Sequence, residues 1–272
     1  MTWKKFEELC LIYLQTKYTE LVNIQFHLGG QSNSHESDIF VTQNGQILFY
    51  IEVKMANSQC GQFVVIPDHD KFIYSPKNMY PINTYTESIL NYMNENFDNL
   101  RDVSTSGDAL HISSDLAFGW IKQHYANKRV KFFITHDGVN FKIFPIDLLN
   151  LYFEVESKYR IKKSGSSRPS HSNMTEVSSL VNDPGAVYKY DNDSASITTS
   201  CGVLDQTNNI LNGNKYSYLL KETSHNTYMV RRLSNTRNAN VIFSIHLKGS
   251  DLPDHSQLLD DYLLGLSSNL HT

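Results

Sequence analysis

The sequence predicts an α/β fold in which helices flank a mixed central sheet, because strand-like and helix-like apolar patterns alternate along the chain. Helical periodicity covers residues 84–97 and 114–126, and strand patterns follow at 130–135 and 140–144. The chain has 272 residues and is 40% hydrophobic, which suffices to bury one sizeable core.

The first predicted element is a helix near the N-terminus, where apolar side chains recur at helical spacing behind a Thr2 cap. These side chains are Trp3, Phe6, Cys10, Tyr13 and Leu14. Glu7 lies on the flank of this apolar face and Glu8 points away from it, so Glu7 is expected to approach a site on the sheet. The alternative for Glu7 is an ordinary surface carboxylate. Residues 23–28 then predict a first strand, and residues 29–33 predict a flexible loop.

Two further strands are predicted on either side of the Asn44-Gly45 dipeptide, which is a strong local signal for a β-hairpin. Side chains along a strand alternate between its two faces, so Glu52 and Lys54 share one face. Asp38 stands at the start of the first of these strands. The hairpin therefore brings three charged residues towards one end of the sheet.

The register of this hairpin decides whether Asp38 faces Glu52, because a slip of one residue turns every side chain to the opposite face. A strict two-residue turn pairs Gln43 with Gln46 and turns Asp38 away. A three-residue loop with a bulge at the turn pairs Gln43 with Ile47, and it sets Asp38 opposite Glu52 with Cβ atoms roughly 5 Å apart. We favour the bulged register.

Two carboxylates at that distance repel each other and are costly to bury alone, so the pattern predicts a bound cation. Oxygen ligands select a hard ion such as Mg²⁺. The expected ligands are Asp38, Glu52 and the backbone carbonyl of Val53, while Lys54 is expected to orient an attacking water. This arrangement is typical of magnesium-dependent nucleases. The alternative is a solvated strand end, since an acid-x-Lys tripeptide also occurs at residues 156–158.

Longer strings around these residues carry a resemblance to a known family. In chain order they are TWKKFEELC, SDIF, YIEVKMANSQCGQFVVIP, YSPKN, VKFFIT, YRIKKSGS and LSNTRNANVIFSI. On these strings the chain resembles type II restriction endonucleases of the PD-(D/E)XK superfamily, although Ser37 stands where the superfamily name has a proline. The resemblance implies a PD-(D/E)XK core, Mg²⁺-dependent double-strand cleavage of duplex DNA, and recognition of the palindrome GCGC.

The resemblance also implies residues and partners beyond the three charged side chains. Residues 58–66 are ambiguous between helix and strand on their pattern, but the superfamily has a helix there, from which Gln59 or Gln62 would face the DNA or the water shell of the metal. Glu7 and Glu36 are candidate supporting carboxylates. The implied partners are double-stranded DNA and, as a genetic partner and not a bound subunit, a cognate DNA methyltransferase. A monomer is favoured, with a dimer left open.

The net charge of −4 is unusual for a DNA-binding protein, because such proteins draw most of their affinity from neutralised phosphates. The basic residues nevertheless cluster in two stretches rich in small polar residues, which allows a positive groove on an acidic protein. The alternative for each stretch is a solvated loop, and for each asparagine a turn or cap. The candidate DNA-binding residues are Lys158, Arg160, Lys162, Lys163, Ser164, Arg168, Arg232, Asn235, Thr236, Asn238 and Asn240.

The sequence predicts a PD-(D/E)XK catalytic core at residues 1–157 and DNA-recognition elaborations at 158–272, packed together as one globular unit. Three cysteines without metal-ligand spacing, no apolar run of membrane-spanning length and no apolar signal region predict a protein of the prokaryotic cytoplasm. Two other functions stay open: a structure-selective nuclease such as a junction resolvase, and a DNA-binding module that has lost catalysis.

Overall fold

The computed structural model describes residues 2–21, 23–29, 37–102, 107–163, 166–191, 194–200, 210–233 and 237–268, and only the backbone of 161–163, 237, 238, 267 and 268. The helices are α1 (Trp3–Lys17), α2 (Thr84–Glu95), α3 (Phe97–Leu100), α4 (Ser114–Asn127), α5 (Leu149–Tyr152), α6 (His171–Val181) and α7 (Ser256–Ser268), with a 3-10 turn at Ile146–Leu148. The strands in the first half of the chain are β1 (Ile24–Leu28), β2 (Ile39–Gln43), β3 (Gln46–Val53), β4 (Asn57–Asp68), β5 (Lys71–Tyr74), β6 (Asp108–Ala109), β7 (Val130–His136) and β8 (Phe141–Pro145). Those in the second half are β9 (Phe153–Lys163), β10 (Ser166–Ser167), β11 (Val187–Tyr190), β12 (Ala195–Thr198), β13 (Ile210–Asn212), β14 (Ser217–Ser224), β15 (Thr227–Leu233) and β16 (Arg237–Leu247).

The first sheet has the strand order β1-β2-β3-β7-β8 within the described residues. Its hairpins β1-β2, β2-β3 and β7-β8 are antiparallel, whereas β3 and β7 run parallel. The chain makes the parallel crossover from β3 to β7 through a long connection that contains α4. This mixed sheet with helices confirms the predicted α/β class.

The N-terminal helix confirms the prediction from apolar spacing. The Thr2 side chain accepts a hydrogen bond from the backbone N–H of Lys5 at 3.4 Å, which caps α1. Phe6, Cys10 and Leu14 are buried in a cluster with the side chains of β1, β2, β3 and α7. Burial of a large apolar side chain stabilises the fold by about 1.5–3 kcal/mol. One face of the first sheet is thus occupied by apolar packing, and the opposite face remains for Glu52 and Lys54.

The turn of the β2-β3 hairpin is a plain two-residue turn. Asn44 and Gly45 have φ angles of 51° and 81°, and Gln43 pairs with Gln46. Positive φ at both central positions is the geometry that an Asn-Gly turn favours, so no extra residue is needed there. The predicted bulge at the turn is therefore wrong.

The extra residue lies instead inside β3, where the register shifts next to Leu48. Beyond that point Phe40 pairs with Tyr50 and Ile39 pairs with Ile51. Asp38 is next along the chain and comes opposite Glu52, as the bulged register predicted. The hairpin combines the preferred turn with the register that the charged residues require.

The segment at residues 58–66 is a strand, β4, and not the helix that the resemblance implied. It belongs to a further sheet with the order β5-β4-β16-β9-β6. Gly61 has a φ of 146°, and a Cβ atom there would lie 2.8 Å from the Trp120 ring. The alternation of buried side chains breaks at this glycine, since Cys60 and Phe63 are both buried although they are three residues apart. Gln59 and Gln62 consequently share the exposed side of β4.

The chain divides into two compact units, one formed by residues 1–160 and 240–272 and the other by residues 161–239. The sequence-based boundary at 157 lies close to the end of the first segment. Residues 240–272, however, belong to the same unit as the N-terminal segment, whereas the sequence-based division grouped them with the elaborations. The reason is that part of β16 joins the sheet of β4 and β9, while α7 packs in the cluster of α1.

The second unit contains a sheet with the order β11-β12-β15-β14-β13, to which β10 adds by pairing with β15. Helix α6 begins at a Ser170 capping box and buries Met174, Val177 and Val181 against this sheet. The polar stretch at residues 164–214 thus contributes a helix and strands to a folded unit with its own core. No helix among the described residues is long and apolar enough to cross a membrane.

Candidate active site

Strand β3 and the residue that directly follows it place Glu52 and Lys54 in the interior, where they are 5% and 8% exposed. The backbone N–H of Lys54 donates to the carbonyl of Ile134 at 2.9 Å. The Thr135 hydroxyl donates to the carbonyl of Lys54 at 2.6 Å. The parallel pairing with β7 therefore fixes the main chain on both sides of the lysine side chain.

Asp38 is held at the beginning of β2 by the neighbouring strand. Its Oδ2 atom accepts a hydrogen bond from the backbone N–H of Val53 at 2.9 Å. This contact ties the carboxylate to the residue between Glu52 and Lys54. The structure thus brings Asp38, Glu52 and Lys54 together, as the hairpin register predicted.

Two donors converge on one oxygen of Glu52. The ammonium group of Lys54 forms a buried ion pair with Oε1, and the Tyr125 hydroxyl donates to the same atom at 2.9 Å. No pattern in the sequence points to Tyr125, because it lies on α4, 73 residues after Glu52. Its position on the buried face of that helix is consistent with an ordinary core residue. Only the crossover that packs α4 beside β7 reveals the contact.

Glu7 on α1 approaches the same group of acids. It lines a cavity of about 130 Å³ beside Asp38, together with residues from α1 and the end of β1: Trp3, Lys4, Glu8, Leu28 and Gly29. Burial, followed by repulsion from Glu52, raises the pKa of Glu7 above its ordinary value. Glu8, which helical spacing predicted to point away, also lines this cavity. Glu36 lies outside the described residues.

The three charged groups have unequal pKa shifts. Burial, followed by repulsion from Glu52, raises the pKa of Asp38 to about 7, although Lys54 and the Val53 N–H oppose this shift. Burial would also raise the pKa of Glu52, but Lys54 outweighs it and the pKa is lowered. Burial works against the charge on Lys54, yet Glu52 raises the pKa of its ammonium group. One carboxylate is therefore compensated by the lysine, and the other is left without sufficient positive charge.

This imbalance fits a divalent cation. Asp38 and Glu52 could provide carboxylate oxygens to such a cation, and the main-chain carbonyl of Val53 could add a third oxygen ligand. Among the described residues, no group of three or more His, Cys, Asp or Glu side chains can hold a metal ion. Mg²⁺ is commonly bound through one or two carboxylates together with water and substrate phosphates, so a complete protein cage is not required.

The two glutamines on β4 contact each other, since Gln59 Nε2 donates to Gln62 Oε1 at 3.3 Å. They lie on the exposed side of the strand, whereas Cys60 between them is buried and points to the Tyr125 hydroxyl, with a distance of 3.9 Å between Sγ and the oxygen. Burial raises the pKa of the Cys60 thiol to about 12, so it is a neutral thiol and not a nucleophile.

Three of the predicted DNA-binding residues belong to the first unit. Lys158 is exposed and forms an ion pair with Glu156, with 3.0 Å between Nζ and Oε1. The Nε atom of Arg160 is buried and has no hydrogen-bond partner among the described residues. Asn240 is buried, and its side chain is not presented to solvent.

In the second unit, two of the predicted arginines stack on tyrosines. The Arg168 guanidinium lies 4.0 Å from the centre of the Tyr190 ring, and that of Arg232 lies 4.5 Å from the Tyr216 ring. Arg232 also donates to the Ser167 hydroxyl at 3.3 Å. The remaining predicted contacts fall on residues or side chains outside the described part of the chain: Lys162, Lys163, Ser164, Asn235, Thr236 and Asn238.

Comparison with known proteins gives one solved relative. No protein-family model and no curated protein sequence matches the chain. The structure of HhaI endonuclease in complex with DNA is 40% identical in sequence, and the match covers 93% of this chain and 93% of that one with a TM-score of 0.72.

Proposed function

The chain belongs to the family of HhaI-like type II restriction endonucleases, and we propose that it makes site-specific double-strand breaks in duplex DNA by Mg²⁺-dependent hydrolysis of phosphodiester bonds. The observation that carries this proposal is the convergence of Asp38, Glu52 and Lys54 at one end of the β2-β3 hairpin. These are the residue types that metal-dependent phosphodiester hydrolysis needs. The DNA in the solved relative supports DNA as the substrate.

The first sheet is proposed to be a PD-(D/E)XK core. Two observations support this proposal. Asp38 lies directly before β2, and Glu52 and Lys54 lie at the end of the antiparallel neighbour β3. A parallel strand, β7, then borders the glutamate and lysine through a helical crossover. Ser37 stands where the superfamily name has a proline, and Asp38 after it still lies directly before β2.

In the proposed mechanism, Asp38, Glu52 and the Val53 carbonyl would hold Mg²⁺, which when bound would supply a more acidic water and neutralise charge at the scissile phosphate. Lys54 is charged at neutral pH, since Glu52 raises its pKa, and its ammonium group orients the attacking water and stabilises the developing negative charge. The Val53 N–H positions the Asp38 carboxylate. Glu7 adds a further carboxylate beside Asp38.

We further propose that the recognised sequence is GCGC, which the family resemblance implies. Arginine and lysine side chains can grip the O6 and N7 atoms of guanine, so basic residues near small polar ones suit such a site. The pool for base contacts is Lys162, Lys163, Arg168, Asn235, Thr236 and Asn238. Lys158 is proposed to contact phosphate only. A monomer in solution and a GCGC-specific DNA methyltransferase as genetic partner complete the proposal.

The test is digestion of two plasmids that differ only in the presence of GCGC sites, in Mg²⁺, Ca²⁺ or a chelator. Discrete fragments ending within GCGC are expected in Mg²⁺ only, and Ca²⁺ is expected to support binding without cleavage. Duplex methylated at the cytosines of GCGC is expected to resist. Cutting of branched DNA but not of linear duplex would identify a resolvase-like enzyme instead. Binding without cleavage in Mg²⁺ would identify an inactive module.

A further inference from the structure

Tyr125 stands out among the buried polar groups because its hydroxyl reaches a carboxylate of the active site. The residue is 3% exposed and lies on α4, whereas Glu52 lies on β3. The hydroxyl donates to Glu52 Oε1 at 2.9 Å, which is the same oxygen that pairs with the Lys54 ammonium group. A carboxylate oxygen has two lone-pair positions, so these donors occupy both of them.

From this geometry we propose that Tyr125 is a positioning residue for the divalent-cation site: its hydroxyl fixes the rotation of the Glu52 carboxylate. With Oε1 bound by Lys54 and Tyr125, Oε2 is the oxygen that ligates the cation. This inference rests on the proposed function, since it concerns the same site. It assigns Tyr125 no contact with DNA or with the reacting atoms.

The surroundings of Tyr125 hold the hydroxyl in place. The ring packs edge-on against Phe133, with 5.1 Å between ring centres, and Phe133 is the residue of β7 that pairs with Glu52. The Cys60 thiol lies 3.9 Å from the hydroxyl oxygen and can donate to it. A hydroxyl that accepts from Cys60 has its own proton directed at Glu52. The Lys54 ammonium also lies 5.4 Å from the centre of the Tyr125 ring, so the tyrosine borders both members of the ion pair.

Towards Glu52 the tyrosine serves as the donor, because an ionised carboxylate only accepts hydrogen bonds. Hydrogen-bond partners of ligating carboxylates orient the ligand, and their removal typically lowers metal affinity or activity about 10- to 100-fold. We expect the Tyr125→Phe variant, which removes only the hydroxyl, to lose cation affinity in this range.

The matched control is Tyr152→Phe. Tyr152 is also buried, and its hydroxyl donates to the Pro253 carbonyl at 3.0 Å and contacts His255, so its loss removes a tyrosine hydroxyl that touches none of the active-site residues. Calorimetric titration of Ca²⁺ into each protein bound to a GCGC duplex measures cation affinity without cleavage. Thermal unfolding without cation measures the structural effect of each change.

The expected result is a Ca²⁺ affinity reduced about 10- to 100-fold in Tyr125→Phe and unchanged in Tyr152→Phe, with similar falls in unfolding temperature. In cleavage assays, the Mg²⁺ concentration for half-maximal rate is expected to rise in Tyr125→Phe by a similar factor, with the KM for DNA unchanged. Wild-type Ca²⁺ affinity in Tyr125→Phe, in an enzyme that cleaves GCGC duplex, would overturn this inference and leave the proposed function intact. A wild-type protein that neither binds Ca²⁺ nor cleaves DNA would overturn both.

Discussion

Two acid-x-Lys tripeptides occur on strands of the first unit, and they differ in their surroundings. Glu52 near the end of β3 and Lys54 directly after the strand are almost completely buried. In the other tripeptide, the side chains of Glu156 and Lys158 on β9 are 42% and 46% exposed. Each lysine forms an ion pair with the acid two residues before it, because alternate side chains of a strand share a face.

The difference lies in what the rest of the fold adds. Around Glu52 the structure places Asp38, which directly precedes β2, and Tyr125 from α4. Strand β7 pairs with β3 at the same point. Beside Glu156 the structure places His246, with 3.8 Å between the imidazole and the carboxylate. A buried ion pair beside a second carboxylate leaves negative charge without compensation, and a cation can bind to it. Water screens an exposed ion pair, which therefore attracts a cation only weakly. The tripeptide by itself therefore has no catalytic meaning.

The largest expected effect separates the two lysines in catalysis. Lys54→Ala is expected to reduce the cleavage rate by about 10²- to 10⁴-fold while cognate binding survives, because the ammonium group acts on the reacting atoms and not on affinity. Asp38→Ala and Glu52→Ala are expected to abolish cleavage in the same way. Lys158→Ala is the matched control and should keep the maximal rate. Single-turnover cleavage of a GCGC duplex measures the cleavage rate of each variant. Full activity in Lys54→Ala would exclude Lys54 from the mechanism.

The second prediction concerns stability. Removing Lys54 leaves Glu52 buried beside Asp38 without its cation partner, and loss of one member of a buried pair costs about 3–5 kcal/mol. Removing Lys158 breaks an exposed pair, for which about 0–1 kcal/mol is expected. Denaturant unfolding of Lys54→Ala and Lys158→Ala without divalent cation gives both values. Equal losses of stability in the two variants would show that burial does not distinguish the two ion pairs.

The third prediction concerns pH. The pKa of Asp38 rises from an ordinary 3.8 to about 7, so its contribution is most favourable below about pH 4 and is lost as the pH rises through 7. The cation-free protein should accordingly lose stability over this window, and Asp38→Asn should reduce the loss. Glu52, whose pKa is lowered, contributes in the opposite sense, losing its stabilisation only as the pH falls below its ordinary 4.5.

Unfolding temperatures measured from pH 4 to 8, with and without Mg²⁺, check the Asp38 contribution. Excess Mg²⁺ should flatten the profile, because a cation favours the ionised carboxylate. The exposed tripeptide supplies the control, since Glu156→Gln should leave the slope as it is in the wild type. A slope that persists unchanged in Asp38→Asn would show that other groups cause it.

The smallest expected effect is on DNA affinity. Lys158→Ala should weaken binding to cognate and random duplex alike and lower the salt dependence by about one counterion, since a phosphate contact positions the protein without reading sequence. By contrast, loss of a true bidentate base contact from the proposed pool should cost roughly 1–3 kcal/mol on the cognate site only. Competition binding at two salt concentrations distinguishes these cases. A loss confined to the cognate duplex would make Lys158 a base reader.

Local patterns in the sequence were sufficient for several elements. The spacing of apolar residues predicted α4, β7 and β8 to within one residue, and also the start of α1, because these segments are long enough to show their period. The sequence of β4 is ambiguous between helix and strand, since the alternation of buried side chains breaks at Gly61. The resemblance then favoured a helix there, which was wrong.

The sequence by itself determined the local chemistry of the site: an Asn-Gly turn, a glutamate and a lysine on one face of a strand, and an aspartate upstream. These follow from short-range sterics and the two-residue period of a strand. Only the tertiary structure decided that the extra residue of β3 is Leu48, that Tyr125 meets Glu52, and that residues 240–272 rejoin the first unit. Such features depend on packing between segments far apart in the chain, and no local pattern records which distant partner a side chain will contact.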